Sequence, residues 1–171
     1  MTHTVSFPSD AAPAFPGITL TLPDDWKPLT VSGAVLAAGK TVEQGEFRPN
    51  VVVAISRFGG EYALQTAIEA VVRRVESIEG VAELGRDELE VLGRPGFRIE
   101  FSYPDPRVGV LIQGVRIVVV EHAGGADLVQ ITATATGSQA QEQWGEIREI
   151  QASATSDAPT SATSATGEAT A

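Results

Sequence analysis

Residues able to do chemistry are few in this sequence and far apart. Histidine occurs only at His3 and His122, so an imidazole base or metal ligand has to be one of these two. His122 follows Glu121 and stands just before Gly124-Gly125, where it reads as a histidine in a solvated hairpin; a role in moving a proton, with the acids near it, is the alternative. His3 lies in a terminus expected to be mobile. No Gly-x-Ser-x-Gly elbow presents a serine nucleophile. The chain has no cysteine, which removes thiolate nucleophiles, thiolate metal sites, disulfides and a lipid-modified N-terminal cysteine.

Two other patterns invite a chemical reading. Ala34-Val35-Leu36-Ala37-Ala38-Gly39-Lys40-Thr41 satisfies a relaxed phosphate-loop pattern with alanine for the first glycine. A phosphate loop needs a flexible turn and a helix opening at the lysine, whereas this stretch is apolar and is followed by Gly45 and Pro49. It reads as a strand ending in a Gly-Lys turn. Asp24 and Asp25 could offer carboxylates to a hard cation, but adjacent acids after Pro23 fit turn capping. The acids Glu83, Asp87, Glu88 and Glu90 read as a solvated edge strand that charge protects from pairing, or as a patch that steers a basic partner. No cofactor and no metal site are expected.

Aromatic residues are the remaining candidates. Trp26 follows a turn, Trp144 falls in the last expected helix, and Phe47, Phe58 and Tyr62 stand at the ends of strands and helices around one apolar strand. Trp26, Phe47, Phe58 and Tyr62 are the residues we expect to rim a partner-binding groove. Both tryptophans also fit the closing of a core.

Twenty-two acidic residues against twelve basic ones leave a net charge of −10 across 171 residues. That balance repels phosphate backbones and anionic lipid, so nucleic acid is not an expected partner. The first fourteen residues carry neither a basic region nor an apolar run of signal-peptide length, and no later stretch approaches a membrane span, so membrane insertion is not expected either. The two tyrosines lack the acidic residue four places on that one export signal requires: Thr66 follows Tyr62 and Arg107 follows Tyr103. The cytoplasm is the expected location.

The elements that must position these residues follow from periodicity. Ile18, Leu20 and Leu22 alternate with threonine as a half-buried strand, 31–38 is a weaker one, and 50–58 is apolar on both faces, as in a strand covered on both sides. After Gly59-Gly60, the residues Leu64, Ala67, Ile68, Val71, Val72, Val75 and Ile78 repeat at helical spacing, with Gly80 placed for a cap. Strands follow at about 86–92, 96–103, 108–121 and 128–136, joined by Gly- and Pro-rich turns suited to an antiparallel meander. Phe97, Ile99, Phe101 and Tyr103 share a core face. Ser138 and Gln141 stand in capping-box spacing before a helix with Ala140, Trp144, Ile147 and Ile150 on one stripe. Residues 1–14 read as an N-terminal extension, 15–152 as one α+β domain with an antiparallel sheet of six to seven strands, and 153–171, rich in Ala, Ser and Thr, as a disordered tail.

Pro23-Asp24-Asp25-Trp26, Phe47-Arg48-Pro49-Asn50-Val51-Val52-Val53 and Leu128-Val129-Gln130-Ile131-Thr132-Ala133-Thr134, in this order, resemble the Mog1/PsbP-like fold and, within it, the actinobacterial LpqN/LpqT-type proteins. The resemblance covers about 15–150 and implies a twisted sheet packed by helices. It carries no shared catalytic residues. Relatives of the LpqN type are commonly exported lipoproteins, from which this sequence departs in lacking a signal and the lipid-bearing cysteine; other proteins similar in fold act as chaperones or adaptors. The expectation is therefore a non-enzymatic soluble adaptor for a protein or peptide partner. The alternatives are a small-molecule site or small enzyme built on His122 and nearby acids, and a self-associating structural protein, such as a homodimer.

Overall fold

The computed structural model describes residues 1–158. Its centre is a seven-stranded, wholly antiparallel sheet in the order β2-β3-β4-β8-β7-β6-β5. The strands are β2 (Trp26–Leu29), β3 (Leu36–Lys40), β4 (Asn50–Gly59), β5 (Ala82–Val91), β6 (Arg94–Asp105), β7 (Gly109–His122) and β8 (Gly125–Thr136). Two helices, α1 (Leu64–Glu76) and α2 (Gly137–Ala152), pack on opposite faces, and a small ladder joins β1 (Ile18–Thr19) to β9 (Thr155–Ser156). The α+β class and the strand number agree with the expectation.

Alternation along each strand assigns the two faces. Val51 and Val53 of β4, Val118 and Val120 of β7, and Val129, Ile131 and Ala133 of β8 point to one side, where they meet Trp144, Ile147 and Ile150 of α2. Phe97, Ile99 and Phe101 of β6, with Val115 and Ile117 of β7, point to the other and meet Ala67, Val71 and Val75 of α1. Because α1 lies over β6 and β7, it leaves β4 uncovered there: Val52 and Ala54 are only half-buried. The strand expected to be covered on both faces is fully covered on one.

Several boundaries move for local reasons. The expected strand 18–22 reaches only Ile18–Thr19, and the expected strand 31–38 begins at Leu36, because Gly33 at φ 79° turns the chain. Trp26–Leu29 is a strand that the alternation did not reveal. Helix α1 stops at Glu76, capped by Ser77 rather than at Gly80. The capping box of α2 lies two residues earlier than Ser138 and Gln141: Thr136 Oγ1 accepts from Gln139 N, and Gln139 Oε1 accepts from Thr136 N. The ordered chain also runs past Ser153. Ser153 Oγ accepts from Thr21 N at 2.9 Å, and β9 pairs with β1, so 153–158 belong to the folded body; the rest of the expected tail, 159–171, lies outside the described residues.

Candidate functional site

The two ends of the sheet differ in how they are closed. At the Asn50 end, Lys40 Nζ meets Asp25 Oδ2 at 2.8 Å and Glu146 Oε1 at 2.7 Å, and the Trp26 indole donates to the same Glu146 oxygen at 2.9 Å. This trio ties β2 and β3 to α2. It leaves Lys40 at the end of a strand with both neighbouring acids engaged, and no phosphate loop forms. Asp25 is exposed, and its hydrogen bond from Lys40 holds its carboxyl below the ordinary aspartate range. Trp26 is 2% exposed and belongs to the core, the second of the two roles its position suggested.

Farther along the α2-facing side, Glu100 of β6 is buried. Burial favours the neutral form of its carboxyl, but the hydrogen bonds from Arg148 Nε at 2.8 Å and Nη2 at 2.5 Å, with the nearby Trp144 indole and the Arg98 charge, outweigh this and hold it below the usual glutamate range. Arg116 lies beside this group, and burial, with the charge of Arg98, pulls its guanidinium down from its usual value. It donates to the Arg148 carbonyl at 3.3 Å, supplying a cation to the last turn of α2, which has no basic residue of its own.

The opposite end is built by the β7–β8 hairpin, the last residues of β4 and the loop before α1. Gly125 pairs with Gly59, and a Cβ at Gly125 would come within 2.1 Å of the Phe58 carbonyl oxygen, so only glycine lets these strands approach so closely. The apolar inner face is interrupted there by a cross-strand pair. Arg57 Nε and Nη2 donate to the two oxygens of Asp127 at 2.7 and 2.8 Å, a forked pair in which Asp127 is only 2% exposed. The hydrogen bond from Arg57 to Asp127 raises the guanidinium above its usual range, keeping it charged. His122 stands next to this pair. Its Nδ1 is 2.9 Å from the Ala123 carbonyl, and its Nε2 faces Asp127 Oδ1 at 3.4 Å, out of hydrogen-bonding geometry and shielded from solvent.

Two clefts flank His122 and Glu121. One, of about 560 Å³, is lined by Gly60, Glu61, Tyr62, Ala63, Glu121, His122 and the Gly124–Ala126 turn. Tyr62 stacks on Phe58 beside it, with ring centroids 3.9 Å apart and planes within 3°. The other, of about 490 Å³, lies on the opposite side of the hairpin between Val120, His122 and Asp127 and the N-terminal residues Pro13–Pro16. Neither Glu61 nor Glu121 forms an ion pair or side-chain hydrogen bond among the described residues.

The four aromatic residues expected to share a groove therefore separate. Phe58 and Tyr62 stand at the hairpin end, while Trp26 and Phe47 stand at the Asn50 end, about 26 Å away along β4 at the usual rise per residue. The Phe47 carbonyl accepts from Gln139 at the start of α2, and the ring is half-buried. His122, expected in a solvated hairpin, is largely buried. Sequence reasoning missed Arg57 and Asp127, although a signal was present. Arg57 is in phase with Val51, Val53 and Ile55, and Asp127 with Val129, Ile131 and Ala133, so each puts a charge where the alternation demands an apolar side chain.

The family model described as "Probable lipoprotein LpqN" (Lpp-LpqN) matches residues 7–155. The chain belongs to this family. The matched span takes in the N-terminal residues over Arg57 and ends at the first residue of β9. Among solved structures, LpqN of Mycobacterium tuberculosis, described as involved in cell envelope biogenesis, superposes with a TM-score of 0.74 at 20% identity over 86% of each chain. CyanoP, the cyanobacterial PsbP of Synechocystis sp. PCC 6803, gives 0.56 at 12% identity, covering 90% of this chain and 98% of its own. PA94 of Pseudomonas aeruginosa, a protein of unknown function described as a putative regulator, gives 0.50 at 14% identity over 77% and 94%. At these identities the likeness is one of fold, and it bears out the LpqN-type, PsbP-like expectation. No curated protein matches the sequence.

Proposed function

We propose that this LpqN-family chain is a binding domain rather than an enzyme, that it holds a segment of a partner protein at the hairpin end of its sheet, and that it serves cell-envelope biogenesis, the process named for its M. tuberculosis relative. The observation that carries the reading is the cleft beside Tyr62. Glycines line it, Tyr62, backed by its stack on Phe58, forms one wall, and Glu61 and Glu121 line it without ion-pair partners among the described residues. Carboxylates beside aromatic faces suit a lysine or arginine side chain, which gains Coulomb attraction from the acids and cation–π attraction from the rings. The net charge of −10 adds long-range steering of a basic segment. A binding role is further supported by how the polar groups are engaged. The Asp127 carboxylate takes both forks of Arg57, and among the described residues no hydroxyl hydrogen-bonds to His122 as a nucleophile would to its base.

A second reading rests on the other cleft, where His122 and Asp127 could hold a small polar molecule. One experiment separates the two. The full chain and its Tyr62→Ser and Glu121→Lys variants are used to capture partners from native lysate, and each is then examined by native mass spectrometry. A stoichiometric protein captured by the parent and lost from both variants, with circular dichroism unchanged, supports the proposal. Capture that neither variant weakens overturns the site. A small molecule retained by the parent and lost from His122→Asn moves the reading to the second cleft.

A further inference from the structure

The N-terminal segment Phe7–Pro16 lies over the Arg57–Asp127 pair, and its attachment is lopsided. At its C-terminal end it is pinned: Gly17 N donates to Asp157 Oδ1 at 2.6 Å, and the next two residues form β1, paired with β9. Towards its N-terminus it is held by little. Its backbone hydrogen bonds join Ser9 to Ala12 within the segment, and none among the described residues joins residues 1–16 to a strand of the sheet. What fixes it is Arg57. The Nη1 that Asp127 leaves free donates to the Pro13 carbonyl at 2.7 Å, and the guanidinium carbon lies 4.6 Å from the Phe15 ring centre and 5.9 Å from that of Phe7. The two rings are 6.1 Å apart, and both remain substantially exposed, at 60% for Phe7 and 42% for Phe15, so the segment buries little apolar surface in return for being ordered.

The segment also covers the cleft without filling it. Beneath Pro13–Pro16 about 490 Å³ remains against Val120, His122, Asp127 and Ala158. Arg57 does not depend on the segment for its position, because its fork to Asp127 is made within the sheet. The clamp thus stays formed when the segment leaves. We propose that Phe7–Pro16 is a displaceable strap, hinged at Gly17 and latched by Arg57, that closes the His122–Asp127 face of the site, so that a bound partner reaches this second cleft only when the strap lifts. This rests on the reading that the hairpin end is the binding site, and adds to it a means of regulation.

The absence of cysteine allows a direct test in the full chain. Ala158→Cys places a single thiol in the cleft beneath the strap, and its rate of reaction with a small maleimide reports strap opening. Replacing the latch rings (Phe7→Ser with Phe15→Ser) is expected to speed labelling about tenfold, since two ring–guanidinium contacts are lost. Arg57→Lys keeps the charge beside Asp127 but loses the planar fork, and is expected to act in the same direction. The latch variants are also expected to capture the protein partner several-fold more strongly. Unchanged labelling in both latch variants overturns the strap. Faster labelling without a change in capture, while Tyr62→Ser still abolishes capture, overturns the gating role and leaves the binding site standing.

Discussion

The two faces of charge inside this sheet, Glu100–Arg148 under α2 and Arg57–Asp127 under the N-terminal strap, are forked pairs of the same kind put to different uses. Glu100 lies under a regular helix, with Trp144 and Arg148 beside it and a cleft of only about 240 Å³ next to them. Asp127 is closed over by an irregular segment that leaves about 490 Å³ beneath it, and a second cleft of about 560 Å³ lies across the neighbouring hairpin. A helix brings a continuous apolar stripe and satisfies its own backbone, so it can seal a sheet face. A proline-rich segment with few backbone bonds cannot do so. The α2 side is therefore the scaffold around Glu100, and the hairpin end is the place where two larger clefts, of about 560 and 490 Å³, lie side by side.

The largest expected effect breaks the buried pair at the hairpin end. Asp127→Ala strands a charged Arg57 against the sheet interior and should cost about 3–5 kcal/mol, a fall in melting temperature well beyond that of any exposed acid-to-alanine change, measured by calorimetry. If the loss matches that of an exposed pair, under about 1 kcal/mol, the pair is not the anchor described here.

A smaller effect sharpens the contrast through pH. The Glu100 carboxyl is held below the usual glutamate range in the folded chain, so its contribution is present in full above that range and is lost as pH falls through the lowered folded value. Arg148 is half exposed, which limits the contribution to about 1–2 kcal/mol. Glu100→Gln should therefore lower stability near neutrality and flatten its decline in acid, followed as denaturation midpoints against pH. An acid limb identical to that of the parent would contradict the assignment.

The smallest effect on stability belongs to the residue given the largest effect on binding. Tyr62 is half-buried at the sheet end, so Tyr62→Ser should cost no more than about 1 kcal/mol. A larger loss would make the Phe58–Tyr62 stack part of the scaffold and remove the distinction between the halves.

The scaffold was far more legible in the sequence than the site. The apolar run in 50–58, the alternation in 96–103, the stripe from Leu64 to Val75, and the turn glycines each act over a few residues, so the fold class and most elements could be read locally. Trp26–Leu29 could not, because Lys27 and Pro28 hide an edge strand whose only signal is its pairing with β3. The site depends on contacts distant in sequence: Arg57 with Asp127, and Pro13 with Arg57. Local chemistry exposed only their phase with apolar neighbours. Trp26 and Tyr62 each followed a turn and looked alike in sequence; Glu146, 120 residues from Trp26, is what makes one of them core.

The most direct test is hydrogen exchange on the full chain, alone and bound to the protein it captures, resolved to short peptides. Slowed exchange on binding is expected to concentrate at 60–63 and 121–126, where the partner covers Tyr62 and the hairpin. Protection confined to the β5 edge or to the Lys40–Glu146 end, with 60–63 and 121–126 unchanged, would contradict this.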